Sequence, residues 1–399
     1  MKLETSLAMT ATHYTHDFFG DDFILNPIPR YADMRTLGRV LWLPNNNVYA
    51  LTHYQDVVAA LRAANVFSSG RGLSLNDDVN KFLIGSTLNS DDPDHAKGKA
   101  VTARPILPKN LTPYDALISS MAEQLANDIL EQQEFDAVKD FAEVMPMRFV
   151  TEFVGLSDEG KDNMVKWASA TFNLFEGFND RAKSAFEDLV GMRKFLDEYG
   201  KPEHLDKGGL ARRIFDVAPD HGFTFEQAQH LLRDYIAPSL DTTISGLGFA
   251  AYYFAKYPDQ WDLLRNIPDL APNAVEEIVR LATPIRCFSR YVTKDVTIDD
   301  TVIPKGARVL LVYASANRDP AQFENADVMD IARNTRKHVG FGHGAHSCLG
   351  MHLARREMTA LLGAMMPLVK SWHVTGEPKI AMNNTIRAFA CLPMRVETA

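Results

Sequence analysis

The residues from about Phe225 to Lys256 read as one long helix, and a chain built around such a rod has few ways to fold. Thr224 and Gln227 form a capping box at its start, and Tyr257-Pro258 stops it. At 1.5 Å per residue it would span roughly 45–50 Å, the width of the whole molecule. Its second half, Ile244 to Ala255, is apolar almost all round, so it must be buried on every side. Asp241 and Arg233 argue against a membrane span. Within it lies Ala237-Pro238-Ser239-Leu240-Asp241-Thr242-Thr243. Pro238 has no N–H to donate and its ring crowds the preceding turn, so the helix is expected to open or kink there, beside an acid and an alcohol.

The rest of the chain supports a mainly α fold with a minor β part. Helical periodicity recurs at 113–133, 139–156, 158–175, 181–199, 258–266, 271–282 and 349–369. Arg39 to Pro44 and Val48 to Thr52 flank Asn45-Asn46-Asn47 as a hairpin, and a second strand region, 296–303 and 307–313, is interrupted by Pro304-Lys305-Gly306. No linker composition or repeat divides the 399 residues, so 1–399 is expected to be a single domain. A net charge of −9 argues against nucleic acid, which needs a concentrated basic surface. The N-terminus, Met1 to Gly20, is polar and lacks an apolar core of signal or anchor length, which leads to the expectation of a cytoplasmic protein with no membrane association. Three unpaired cysteines agree with a reducing compartment. His13 and His16 are read as an incidental terminal pair.

One of those cysteines carries the chemistry. In Phe341-Gly342-His343-Gly344-Ala345-His346-Ser347-Cys348-Leu349-Gly350, Cys348 stands among glycines that let backbone N–H groups turn toward a sulfur and let a flat macrocycle approach closely. That suits a thiolate bound to haem iron. The competing readings are a zinc site shared by Cys348, His343, His346 and His352, and a plain buried cysteine. Zinc is disfavoured because Cys287 and Cys391 are distant and no C-x2-C pair occurs.

The cysteine loop resembles that of the cytochrome P450 family at every position that defines it, and the likeness runs from about residue 30 to the end. It points to a bacterial, soluble, stand-alone haem domain with a long central helix lying over haem b. By the resemblance Cys348 is the iron's axial ligand, Phe341 covers the sulfur, Gly350 closes the loop and His346 reaches a propionate. Asp241-Thr242 matches the family's acid-threonine pair, implying that Thr242 hydrogen-bonds bound oxygen and Asp241 relays protons. Pro238 and Ser239 replace its usual alanine and glycine. Glu277 and Arg280 match Glu-x-x-Arg, joined by Arg333 in a scaffolding network, although Ala326 and Met329 depart from the usual meander. His95, Lys99, Arg290 and His338 complete the propionate ligands, Lys99 standing where the family has arginine.

The same resemblance places pocket segments near Ser69 to Thr87, Phe172 to Phe178, and Thr385 to Phe389. Phe172, Phe175, Phe178, Asp234, Ala237, Arg286 and Ile386 are expected to meet substrate, with Arg286 aimed into the pocket and paired either with Asp234 or with a polar substrate group. Pro284 to Arg290 and Asn383 to Arg387 look like bacterial members that oxidise small aromatic acids, ethers and related compounds, so hydroxylation or oxidative O-dealkylation of a small aromatic is expected, with a terpenoid hydroxylase or a non-catalytic haem sensor as alternatives. No dinucleotide fingerprint occurs. Electrons are therefore expected from a ferredoxin and its reductase, with Lys97, Lys99, Arg104, Lys109, Arg355 and Arg356 supplying a basic docking face.

Overall fold

The computed structural model describes residues 11–176 and 179–399, excluding the side chains of Phe82 and Glu176; Phe178 lies outside the described residues. Helices dominate and a six-stranded sheet flanks them. In sheet order the strands are Thr12–His13, Val40–Leu43, Val48–Leu51, Arg308–Leu311, Phe288–Val292 and Phe67–Ser68. The hairpin pairs Val40 with Leu51 and Leu43 with Val48. Val48–Leu51 runs parallel to Arg308–Leu311, which joins residues far apart in sequence into one floor.

The central helix departs from the single rod expected. The capping box of Thr224 and Gln227 is present, but it starts a short helix, Phe225–Leu231, and a new helix runs Arg233–Lys256. The break has a local cause. The Arg233 Nε donates to the His230 carbonyl at 3.0 Å, occupying an acceptor that the continuing helix would use, and the Leu232 and Tyr235 amides make tighter bonds three residues back. The chain stays helical through Pro238, so the interruption falls six residues earlier than proline chemistry suggests.

From Tyr235 to Phe254 this helix is almost wholly buried. It packs against the helices Met164–Glu176, Ala271–Ala282 and Met351–Met365 and the wide-turn stretch Ala137–Ala142. A second apolar cluster lies beside the sheet, built from Phe18, Phe19, Phe23, Tyr31 and Met34 with Leu41, Leu310 and Cys287. A helix over Asp94–Ala103 carries His95 and Lys99, while a helix over Tyr54–Arg62 and a three-stranded sheet containing Val369–Val374 and Pro393–Thr398 escaped the sequence reading. Short segments of this kind are ordered by tertiary contact more than by their own pattern. Among the described residues no helix is long and apolar enough to cross a membrane.

Candidate active site

A cavity of about 640 Å³ lies between the central helix and the cysteine loop, within the size range of small-molecule sites. Phe341, Gly342, His346, Cys348 and Gly350 border it on one side and Ala237, Pro238, Thr242 and Thr243 on the other. Phe172, Phe175, Ile285 and Phe288 line it further out. The cysteine loop is fixed by the Cys348 amide donating to the Phe341 carbonyl at 2.8 Å. Gly342 and Gly344 both adopt positive φ, and a Cβ at Gly344 would meet the Leu61 carbonyl at 2.5 Å, so the loop seats on the helix Tyr54–Arg62 only with glycine there. Burial pushes the Cys348 thiol up, while the amides of Gly350 and Met351 and the charges of Arg355 and Lys99 favour the thiolate. Among the described residues no three His, Cys, Asp or Glu side chains gather as a metal cluster, and His343 is engaged by Arg62 Nε at 2.9 Å, which removes the geometric basis for zinc.

Haem fits the donor set. His95 and His346 lie ring to ring, centroids 4.1 Å apart, and Arg290 borders the same end of the cavity. Burial, Arg290, His95 and Lys99 together hold the His346 pKa down at about 3. Arg290 is buried and donates only to the Ser289 carbonyl and the Tyr313 hydroxyl among the bonds seen. The Arg290 guanidinium and two imidazoles, one of them held neutral by burial and its basic neighbours, suit with the nearby thiol a dianionic, iron-bearing macrocycle, whose two carboxylates would pair with Arg290 and accept hydrogen bonds from the imidazoles.

Two residues expected at the propionates are committed elsewhere. His338 does not border the cavity; its Nε2 meets Glu276 Oε2 at 2.9 Å and its Nδ1 accepts the Gly340 amide. Glu276 also takes the Arg355 fork, and although burial would raise its pKa, His338 and Arg355 hold it at about 2. Lys99 Nζ donates to the Ala345 carbonyl at 2.6 Å, bracing the cysteine loop from outside the cavity.

The substrate-side expectations divide in the same way. Phe172, Phe175, Ala237 and Asp234 border the cavity. Arg286 does not: it is 1% exposed and its guanidinium lies over the rings of Phe18 and Phe23, at 4.9 and 6.0 Å. One nitrogen donates to the Asn384 carbonyl, the Tyr31 hydroxyl lies nearby, and among the described residues no hydrogen-bond partner is seen for Nε or Nη1. The reason is the irregular backbone of Arg286 and Cys287 between the Ile285 bridge and the strand at Phe288, pinned where the Arg286 amide donates to the Thr385 carbonyl and the Ala314 amide to the Arg286 carbonyl. Ile285 and Phe288 thereby face the cavity, and Arg286 and Cys287 face the N-terminal cluster. Arg286 and Asp234 do not pair. Ile386 also stands back from the cavity, bridged to Ile285 across a short β contact.

On the central helix, the Thr242 hydroxyl borders the cavity and donates to the Pro238 carbonyl at 2.7 Å. Asp241 points off that wall, where burial and then Glu143 push its pKa up to about 8. Sequence reasoning missed Glu357, 3% exposed, which borders the cavity with Oε1 unpartnered and is pushed up to about 8 by burial. It follows Cys348 by nine residues on the next helix, and only the fold turns it inward.

Below the site, Glu277 and Arg280 are fully buried and joined by two bonds of 2.7 and 2.8 Å. Arg280 also binds the Asn317 and Ala326 carbonyls, and Arg333 Nε approaches Glu277 at 3.4 Å. This network ties the helix Ala271–Ala282 to the segment leading into the cysteine loop.

A family model described as Cytochrome P450 matches residues 209–385. Cytochrome p450 CYP199A2 of Rhodopseudomonas palustris is 33% identical, covering 97% of this chain and 95% of its own. A beta-dihydromenaquinone-9 omega-hydroxylase of Mycobacterium tuberculosis is 29% identical over 95% of this chain and 78% of that protein. Among solved structures, cytochrome P450 CYP109Q5 from Chondromyces apiculatus superposes with a TM-score of 0.81 at 24% identity, covering 96% of this chain and 99% of that one. Cytochrome P450 CREJ, in complex with (4-ethylphenyl) dihydrogen phosphate, gives 0.83 at 23% identity, covering 94% and 98%. With a relative of this identity matched along nearly its whole length, and a thiol-bearing cavity that suits haem, the chain belongs to the cytochrome P450 family of haem monooxygenases.

Proposed function

We propose that Cys348 is the axial thiolate, that His95, Arg290 and His346 hold the propionates, and that the enzyme hydroxylates or oxidatively O-dealkylates a small aromatic substrate. The observation that carries this reading is one continuous cavity bordered by Cys348, by Thr242 and by the apolar group Phe172, Phe175, Ile285 and Phe288. Haem b, when bound, supplies the activation of dioxygen. The aromatic walls hold an apolar ring and exclude water from it. Thr242, resting on the Pro238 carbonyl, has a hydroxyl that turns between that carbonyl and the cavity. Asp241, neutral up to about pH 8 and one residue away, holds a proton that Thr242 can pass inward. Electrons are proposed to come from a ferredoxin and its reductase. Arg355 and Arg356 of the expected docking face are spent on Glu276 and Asp115 and Lys97 lies 3.8 Å from Asp94, which leaves the exposed Arg104 and Lys109 as its main positive surface.

The test is a Soret titration of the haem-loaded enzyme with aromatic methyl ethers and with terpenoids, followed by turnover with ferredoxin, its reductase and reduced nicotinamide. Loss of the iron-bound water with an aromatic ether, and release of formaldehyde matching its consumption, is the expected result. Response to terpenoids alone would replace the aromatic reading.

A further inference from the structure

The charges around the outer half of the cavity are unequally satisfied. Three cations border it, and each is engaged: Lys81 by Asp78 at 2.8 Å, Arg193 by Asp197 at 4.0 Å, and Arg233 by the carbonyls of His230 and Ile84 at 3.0 and 3.1 Å. Asp234 is different. The Thr87 amide donates to its Oδ2 at 3.1 Å, the Thr87 hydroxyl beside it favours the carboxylate as well, and among the described residues no cation is seen within ion-pair distance. Arg233, its neighbour in sequence, acts on it through its charge alone, because its guanidinium is bonded to the backbone carbonyls of His230 and Ile84.

Asp234 stands in the first turn of the central helix, where the helix N-terminus favours negative charge, yet it faces the space lined by Phe172, Phe175 and Ile285. Burial raises its pKa while Thr87 and Arg233 oppose that rise. A carboxylate in this position gains most from a ligand that brings its own positive charge and an N–H donor. A ligand carboxylate there would add like charge to a poorly solvated spot, and a neutral ligand would leave the acid as it is.

We propose that Asp234 anchors the substrate through a protonated amine, so that this enzyme takes mainly apolar aromatic amines in preference to the corresponding acids. The inference rests on the reading of the cavity as a site for small aromatics. It adds a polar end to that ligand and assigns the residue that recognises it.

The test uses calorimetry on the haem-loaded protein near neutral pH with three ring-matched probes: para-methoxybenzylamine, para-methoxybenzyl alcohol and para-methoxybenzoate. The amine should bind roughly ten- to a hundredfold more tightly than the alcohol, the usual value of a charge-assisted hydrogen bond, and the benzoate weakest. Asp234→Asn should abolish the amine's advantage and change the alcohol's affinity by less than about threefold. Asp234→Ser, which still offers Thr87 an acceptor, should behave alike, and haem content in both variants reports on folding. A Soret band recorded beside each titration identifies an amine that ligates iron directly. Tightest binding by the benzoate, or an amine preference that survives in Asp234→Asn, overturns the proposal. Equal binding of all three overturns it while sparing the small-aromatic reading, and failure of all three overturns both.

Discussion

The two ends of the cavity differ in the charge each is suited to receive. At the inner end, His95, His346 and Arg290 crowd together beside Cys348, and the nearby acid Glu276 is already claimed by His338 and Arg355. At the outer end the bordering cations are engaged, and Asp234, held by Thr87, has no ion-pair partner seen among the described residues. Half-buried groups left without a counter-charge gain from a ligand that supplies one. The contrast therefore reads as a pair of complementary requirements: a dianion at one end and a cation at the other, separated by an apolar wall.

The buried network beneath the inner end gives the largest expected effect. Glu277→Ala should strip Arg280 of its only carboxylate partner seen and cost about 3–5 kcal/mol of stability, or abolish folding, as read by denaturant unfolding. If the variant unfolds at the wild-type midpoint, the inner scaffold does not depend on this pair. Next in size, Thr242→Ala should bind substrate as the wild type does while diverting electrons to hydrogen peroxide, so that product per reduced cofactor falls several-fold. Unchanged coupling in this variant and in Asp241→Asn would remove both residues from proton delivery.

Asp241 also has a signature in stability. Its folded pKa, about 8, lies above the ordinary carboxylate value of about 4, so the folded state binds the proton more tightly than the unfolded chain. Its contribution is present in full below about pH 4 and is lost as pH rises toward 8. Asp241→Asn should flatten the fall in stability across that window, and an unchanged pH profile would show that the acid is solvated. The smallest effect is expected at Arg286, a buried cation outside both ends. Arg286→Met should leave haem content unaltered and shift affinity for aromatic ligands by less than about threefold, since the guanidinium stacks on Phe18 and Phe23 and not on the cavity wall. A large loss of affinity would place it in the outer site after all.

What the sequence disclosed follows from how local each feature is. The cysteine loop is defined within ten residues, and Glu277 with Arg280 is an i, i+3 pair, so both were legible. The direction of Arg286 was not, because it is set by hydrogen bonds to Thr385 and from Ala314, distant in sequence. His338 was misread for a related reason: its partner Glu276 lies 62 residues away, and a histidine near a haem loop looks the same whether it faces the haem or an acid. The break at Leu232 was hidden because the capping box and the apolar period continue across it, while the competing bond from Arg233 depends on a side-chain rotamer. Glu357 was missed because neither spacing nor composition marks which face of its helix turns toward the cavity.

The assignment that supports both ends of the comparison is the thiolate at Cys348, and the spectrum of the dithionite-reduced protein under carbon monoxide tests it most directly. Wild type and the Cys287→Ala and Cys391→Ala variants should show the strongly red-shifted Soret band of a thiolate-ligated haem, and Cys348→His should retain haem without that band. The red-shifted band persisting in Cys348→His, or missing from the folded, haem-loaded wild type, would contradict the account.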